Sequence, residues 1–141
     1  MKITYKVFTN LPEEAKFIRT TVFVDEQHFV DEFEDNENAA IHIVMYVNDR
    51  PVGTSRIIYQ EKHSCYVIGR FALIKEYRNK GLGLELMKFS EQETINRFGH
   101  IQVGISSQKQ AQGFYEKSGY IATNETYLDQ YCPHVWMIKN L

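Results

Sequence analysis

The chain has 141 residues, 43% hydrophobic and 13% aromatic, which is enough apolar material to close one sizeable core but not two. Eighteen acidic against sixteen basic side chains give a formal net charge of -2, so no electrostatic platform exists for nucleic acid or an anionic membrane. Cys65 and Cys132 lack zinc-site spacing and are too few for a disulfide scaffold, and Met1-Lys2-Ile3-Thr4-Tyr5-Lys6 has no signal-peptide or membrane-span run, so a single reduced, cytoplasmic domain over residues 1–141 is expected.

Ile3, Tyr5 and Val7 alternate with polar residues as a first strand does. Asn10-Leu11-Pro12-Glu13-Glu14 then supplies turn chemistry, a proline suited to a first helical turn, and early carboxylates. Ala15, Ile18 and Val22 follow at i, i+3 and i+7, which predicts a helix with a core-facing stripe. Asp31 to Asn38 is acidic and aperiodic and reads as an exposed loop. It lacks the central glycine and terminal glutamate of an EF-hand loop, leaving a solvated surface or electrostatic attraction of a cationic substrate as its expected roles. Ile41 to Val47 is β-branched and aromatic, and Asn48-Asp49-Arg50 turns the chain into Pro51 to Tyr59, a hairpin. A polar turn from Gln60 to His63 leads to a third strand, Cys65 to Ile74.

Leu82, Leu84, Leu86, Met87 and Phe89 recur at helical spacings, and Ile95 and Phe98 continue the Met87 side until Gly99 stops the helix. Ile101, Val103 and Ile105 alternate as a strand, so Cys65 to Ile105 reads as two parallel strands joined by a crossover helix. Ser107 with Gln110 has the form of a capping box for a short helix bearing Ala111, Phe114 and Ser118, capped by Gly119. Tyr120 to Ala122 and His134 to Lys139 read as closing strands joined through a loop containing Cys132-Pro133.

Chemistry concentrates where the strand at Phe71-Ala72-Leu73 runs through Arg78-Asn79-Lys80-Gly81-Leu82-Gly83 into the long helix. Such a junction binds anions: glycine admits close backbone approach, the first helical N–H groups have no internal partner, and the helix dipole adds positive charge. Arg78 and Lys80 contribute full charges. Leu86 stands where a Rossmann fingerprint needs a third glycine, and no Gly-Lys-Ser/Thr is present, so dinucleotide and nucleoside-triphosphate motifs are excluded.

Arg78-Asn79-Lys80-Gly81-Leu82-Gly83 resembles the Q/R-x-x-G-x-G/A signature of the GNAT acetyltransferase superfamily, and Ala111-Gln112-Gly113-Phe114-Tyr115-Glu116-Lys117-Ser118-Gly119-Tyr120 resembles its A-x-x-F-Y-x-x-x-G-F/Y segment. Val22-Phe23-Val24-Asp25-Glu26-Gln27 and Pro133-His134-Val135-Trp136-Met137 are similar to segments of the small bacterial ElaA/YjcF-like branch. The resemblance implies an α/β (α+β) fold: a mixed, mostly antiparallel sheet flanked by helices, with a parallel strand pair splaying near Leu73 and Ile105 to form an acetyl-CoA cleft. It implies acetyl transfer to a primary amine by direct attack in a ternary complex. Phe71, Ala72 and Leu73 would offer backbone groups to the acetyl-pantetheine arm, with a bulge aiming an N–H at the thioester oxygen. Arg78, Asn79, Lys80, Gly81, Leu82 and Gly83 would wrap the pyrophosphate, and Gln108 would bond pantetheine or substrate. Ser106 departs from the asparagine common in relatives.

Tyr115 resembles the tyrosine that protonates the departing thiolate, with core packing as the alternative. A lysine-like amine is neutral only about 0.04% of the time at pH 7, a cost of about 4.6 kcal/mol, so a base is required. Glu26, His134 and His42 are the candidates, each with a structural role as its alternative. Arg56 and Arg70 reach either solvent or an anion, and Arg70 would hold Glu26 or a substrate carboxylate. Nothing near Cys65 marks a nucleophilic constellation. The competing reading is a noncatalytic acyl-CoA-binding sensor or interaction module. The expected partner is an amine-bearing small molecule or peptide, without nucleic acid, membrane or metal; the acceptor and the oligomeric state stay open, a homodimer among the options.

Overall fold

A computed structural model describes residues 1–141, and their order is β1 (Ile3–Phe8), α1 (Glu13–Arg19), β2 (Ile41–Val47), β3 (Arg50–Gln60), β4 (Cys65–Leu73), α2 (Leu82–Phe98), β5 (Gln102–Gln108), α3 (Gln112–Lys117), β6 (Ile121–Asp129) and β7 (Cys132–Asn140). The strands form one seven-stranded sheet ordered β1-β2-β3-β4-β5-β7-β6. Only β4 and β5 pair in parallel, as the crossover through α2 requires. No helix is long and apolar enough to cross a membrane.

Strand β2 shows why its sequence is apolar without alternation. Val44 and Tyr46 join Ala15, Ile18 and Val22 of the first helical segment in a cluster on one face. Ile43, Met45 and Val47 face the other way, packing with Leu82, Leu86 and Met87 of α2 and with Ile105 and Met137. With helices on both faces, both faces of β2 are mostly apolar. The hairpin to β3 turns through Asn48 and Asp49 at φ 49 and 68, the left-handed pair that a two-residue turn demands.

Helix α1 does not end cleanly but widens into a π-helical turn over Thr20–Glu26. Such turns are rare and cluster at functional sites. The buried stripe of α2 is Leu82, Leu86, Met87, Ser90 and Thr94, whereas Leu84 is exposed. Ser90 and Thr94 are tolerated inside because each hydroxyl donates to the carbonyl four residues earlier, both at 2.8 Å.

Three other expectations are corrected. The Ser107 hydroxyl donates to the Gln108 carbonyl and caps nothing; α3 starts at Gln112 without a side-chain cap. Cys132 and Pro133 lie in β7, because β6 and β7 are long and turn tightly at Gln130-Tyr131. The acidic segment is not simply exposed: Glu32 and Glu37 are buried, ion-paired with Arg19 at 2.9 and 2.8 Å.

The sheet opens at its centre. Strands β4 and β5 pair only at Tyr66↔Val103 and Val67↔Gly104, then separate. On the other side of β4, Thr54 faces Ala72 while Arg56 faces Gly69, so β4 carries one extra residue. Arg70, at φ 46, lies within this bulge.

Candidate active site

Two cavities flank the opening between β4 and β5. The smaller, about 460 Å³, is bordered by Phe71, Ala72, Leu73, Arg78, Asn79, Gly81 and Gly83, seven of the residues singled out by their motifs, together with Lys117, which the motifs did not signal. Lys80 is exposed outside that lining, and the Leu82 side chain is in the core, leaving only its main chain to serve the loop. Gly81 adopts φ 79, a conformation costly to any residue with a Cβ, and no atom lies within 4 Å of where its Cβ would stand. Helix α2 starts directly after it without a side-chain cap, and its first such intrahelical bond is Glu85 N–H to Gly81 at 3.3 Å. The N–H groups of Leu82, Gly83 and Leu84 therefore face outward as donors for an anion.

The larger cavity, about 540 Å³, is lined on one side by Arg56, Gly69 and Arg70 and on the other by Ser106, Gln108, Tyr127 and His134. Phe71, Ala111 and Tyr115 line both cavities and form their common wall. Tyr115 is wedged edge-on between Phe71 and Tyr120. Burial raises its phenol above the ordinary 10.0, so it is protonated at neutral pH and holds its proton more tightly than an exposed tyrosine. It packs in the core cluster and borders both cavities.

Strand register gathers the far wall. His134 faces Gln108 across β5–β7 and Tyr127 across β6–β7, so the three share one face of the sheet. His134 Nδ1 lies 2.9 Å from the Cys132 carbonyl, which can only accept. In the neutral ring Nδ1 therefore carries the proton and Nε2 keeps a lone pair. Tyr127 stacks on His134 with centroids 5.8 Å apart, and its hydroxyl bonds the Ser106 hydroxyl. Gln108 donates to Gln27 at 2.7 Å, tying β5 to the end of the π-helical turn. It borders the larger cavity, away from the Arg78 to Gly83 loop.

Glu26 borders neither cavity; its carboxylate is held by both terminal nitrogens of Arg78, at 3.0 and 2.9 Å. Arg78 also donates from Nε to the Leu73 carbonyl at 3.0 Å. The expected alternative that Arg70 holds Glu26 is thus corrected: Arg70 sits instead beside Glu32, at 3.0 Å. His42 is buried with Nε2 2.7 Å from the Glu37 carbonyl, away from either cavity. Burial raises the Cys65 thiol and keeps it a poor nucleophile.

Sequence patterns missed His63 and Tyr127, and gave Gln27 only as the last residue of the Val22 to Gln27 resemblance. His63 stacks on Trp136 at 3.8 Å and its Nε2 lies 2.9 Å from Glu125. Gly104 makes room for that Trp136 ring, since a Cβ there would stand 2.0 Å from it. A strand alternation at Thr126 and Leu128 was the only available signal for Tyr127.

Comparisons with known proteins fit this geometry. Residues 10–141 match the family model described as an acetyltransferase (GNAT) domain. The uncharacterized N-acetyltransferase YjcF of Bacillus subtilis is 32% identical over 91% of this chain and 91% of its own length. The crystal structure of Escherichia coli ElaA shares the fold, with a TM-score of 0.88 and 23% identity over 99% of this chain and 100% of that one. An aminoglycoside 6'-N-acetyltransferase complexed with coenzyme A aligns with a TM-score of 0.72 and 17% identity, covering 99% and 97% of the two chains. A splayed parallel strand pair, a glycine turn with free N–H groups at the start of α2 and this match over nearly the whole chain have one common explanation: the chain belongs to the GNAT acetyltransferase family.

Proposed function

We propose that the protein transfers the acetyl group of acetyl-coenzyme A to a primary amine held in the larger cavity, by direct attack in a ternary complex. One observation carries this reading: the two cavities meet at Phe71, Ala111 and Tyr115, so a thioester end presented from one side faces an amine presented from the other. The residues of the smaller cavity fit the coenzyme. Open space beside Gly81 and the outward N–H groups of Leu82, Gly83 and Leu84 suit a diphosphate, and the β4 edge from Phe71 to Leu73 lacks a partner on its β5 side, as an extended pantetheine arm needs. The coenzyme A bound to the aminoglycoside enzyme supports the same assignment by analogy. When bound, acetyl-coenzyme A supplies the activated acyl group.

The chain's own residues do the rest. The bulge at Arg70–Phe71 frees main-chain groups from the β3 ladder, and a preorganised N–H there stabilises the developing oxyanion by about 3 kcal/mol. His134 receives the proton of the ammonium at Nε2, with Nδ1 locked on the Cys132 carbonyl, so that the amine attacks in its neutral form. Tyr115 gives its proton to the departing sulfur. Calorimetric titration with acetyl-coenzyme A, beside a hydrolysis-corrected transfer assay over an amine panel, tests the proposal. Transfer to at least one amine is expected; binding without transfer to any of them would leave an acyl-CoA-binding module instead.

A further inference from the structure

We infer that the acceptor is an amine that also carries a carboxylate, and that this carboxylate takes the place between Arg56 and Arg70 that the Glu34 carboxylate fills here. The inference rests on the transferase reading and names its substrate class.

Both guanidinium groups border the larger cavity and both are incompletely used. The three hydrogen bonds of Arg56 all leave from Nη1, to Glu34 at 2.7 Å and to Glu37 at 3.3 and 3.2 Å. Its buried Nε donates to nothing, although only 9% of the side chain is exposed. Arg70 Nε lies 3.0 Å from a Glu32 oxygen but is misaligned for a hydrogen bond, and its one bond, Nη2 to the Glu32 carbonyl, is long at 3.5 Å. A buried cation with idle donors is an unfavourable arrangement unless an anion completes it. Burial, and then repulsion from Arg56, lower the Arg70 pKa despite Glu32 and Glu34.

Glu34 shows how a carboxylate completes the pair. A single oxygen, Oε2, lies 2.7 Å from Arg56 Nη1 and 3.6 Å from Arg70 Nη2, so a carboxylate bridges the pair. Glu34 is also the one carboxylate of the network that can leave cheaply. Its side chain is 45% exposed, against 7% for Glu32 and 8% for Glu37. With Glu34 turned into solvent, Arg19, Arg56 and Arg70 face only Glu32 and Glu37, a surplus of one positive charge. That surplus matches one ligand carboxylate.

Space and direction agree. Gly69 faces Arg56 across the β3–β4 ladder, and a Cβ there would meet only Val67, at 3.9 Å, so the floor before the two arginines is open. Arg70 immediately precedes Phe71, part of the wall shared with the coenzyme cavity, and His134 borders the same space. A short amino acid or small peptide would span from the arginines to the reacting centre. The remaining carboxylates of the lining, Asp31 and Asp129, are exposed at its rim.

The test compares α-amino acids and dipeptides with their C-terminal amides and with aminophosphonate analogues as acceptors. Wild-type kcat/KM is expected to favour each carboxylate over its amide by about tenfold or more, with the aminophosphonates behind the carboxylates. Arg70→Gln brings the ratio toward one, and Glu34→Gln lowers KM for the carboxylate by removing its internal competitor. Independently of turnover, succinate is expected to shift the side-chain ¹⁵Nε–H signals of Arg56 and Arg70, whereas succinamide leaves them in place. A wild-type ratio at or below one, a preference for the phosphonate, or signals unmoved by saturating succinate each overturns the inference. If no amine of any kind were acetylated, the transferase reading would fail, while the succinate titration would still decide whether the two arginines form a carboxylate site.

Discussion

The Glu26 carboxylate grips the Arg78 guanidinium through both oxygens, at 3.0 and 2.9 Å, and so joins the π-helical turn beside the larger cavity to the loop that borders the smaller one. Arg78 is thereby spoken for by a protein carboxylate on the very edge where a diphosphate would lie. Both side chains are about one-third exposed, so the pair contributes under about 1 kcal/mol to stability. Glu26→Gln should leave Tm nearly unchanged and tighten acetyl-coenzyme A binding severalfold, because Arg78 is released toward the diphosphate. A fall in kcat of about 10² with unchanged coenzyme affinity would instead make Glu26 the base.

His134→Gln keeps a hydrogen-bonding side chain in β7 but cannot take up a proton. It should lower kcat by about 10²-fold or more while leaving calorimetric acetyl-coenzyme A affinity intact, and added imidazole should restore part of the rate. Wild-type turnover in this variant would move the base elsewhere.

Tyr115→Phe removes one hydroxyl and preserves the edge-on packing with Phe71 and Tyr120. Coenzyme affinity should persist while single-turnover chemistry slows by roughly 10²-fold. Burial raises the phenol above 10.0, so any wild-type alkaline limb that it controls must lie above that pH and vanish in the variant. A thiol leaves readily, so undiminished single-turnover chemistry would assign Tyr115 to packing alone.

Gly81 permits steric blockade to be separated from backbone strain. At φ 79 valine costs about 1–2 kcal/mol, whereas asparagine tolerates the conformation. Gly81→Val should therefore melt lower and Gly81→Asn near wild type, yet both place atoms in the open space assigned to the diphosphate. Acetyl-coenzyme A should bind each at least about tenfold more weakly. Wild-type affinity in the folded Asn variant would separate this turn from the coenzyme.

Acid should loosen the arginine–glutamate network through Glu37. Burial pushes that carboxyl up, but hydrogen bonds from Arg19 and from the Glu34 N–H, with the charges of Arg19 and Arg56, outweigh it and hold the pKa at about 2 against an ordinary 4.5. Because the folded value lies below the unfolded one, the stabilisation is complete above 4.5 and is lost as the pH falls through about 2, on the order of 3 kcal/mol in all. Glu32 works the other way, since burial outweighs its arginines and raises its pKa, so its protonation partly relieves the network. Urea midpoints at several acidic pH values should fall less steeply for Glu37→Gln than for wild type; equal slopes would place the acid sensitivity elsewhere.

The sequence by itself determined the order of elements and the glycine turn that opens α2. Both are local: the stripe of Ala15, Ile18 and Val22, the turn at Asn48-Asp49 and the glycines before α2 act through neighbours a few residues away. What only the tertiary structure decided is which side chains meet. The Asp31 to Asn38 segment reads as solvated because its composition is acidic, yet it closes over Arg19, Arg56 and Arg70, which come from α1, β3 and β4. His134 and Tyr127 share a wall with Gln108 only because β7 inserts between β5 and β6, an order that no local pattern encodes. Charge partners and catalytic neighbours depend on strand register and long-range packing, whereas periodicity and capping act only over a turn or two.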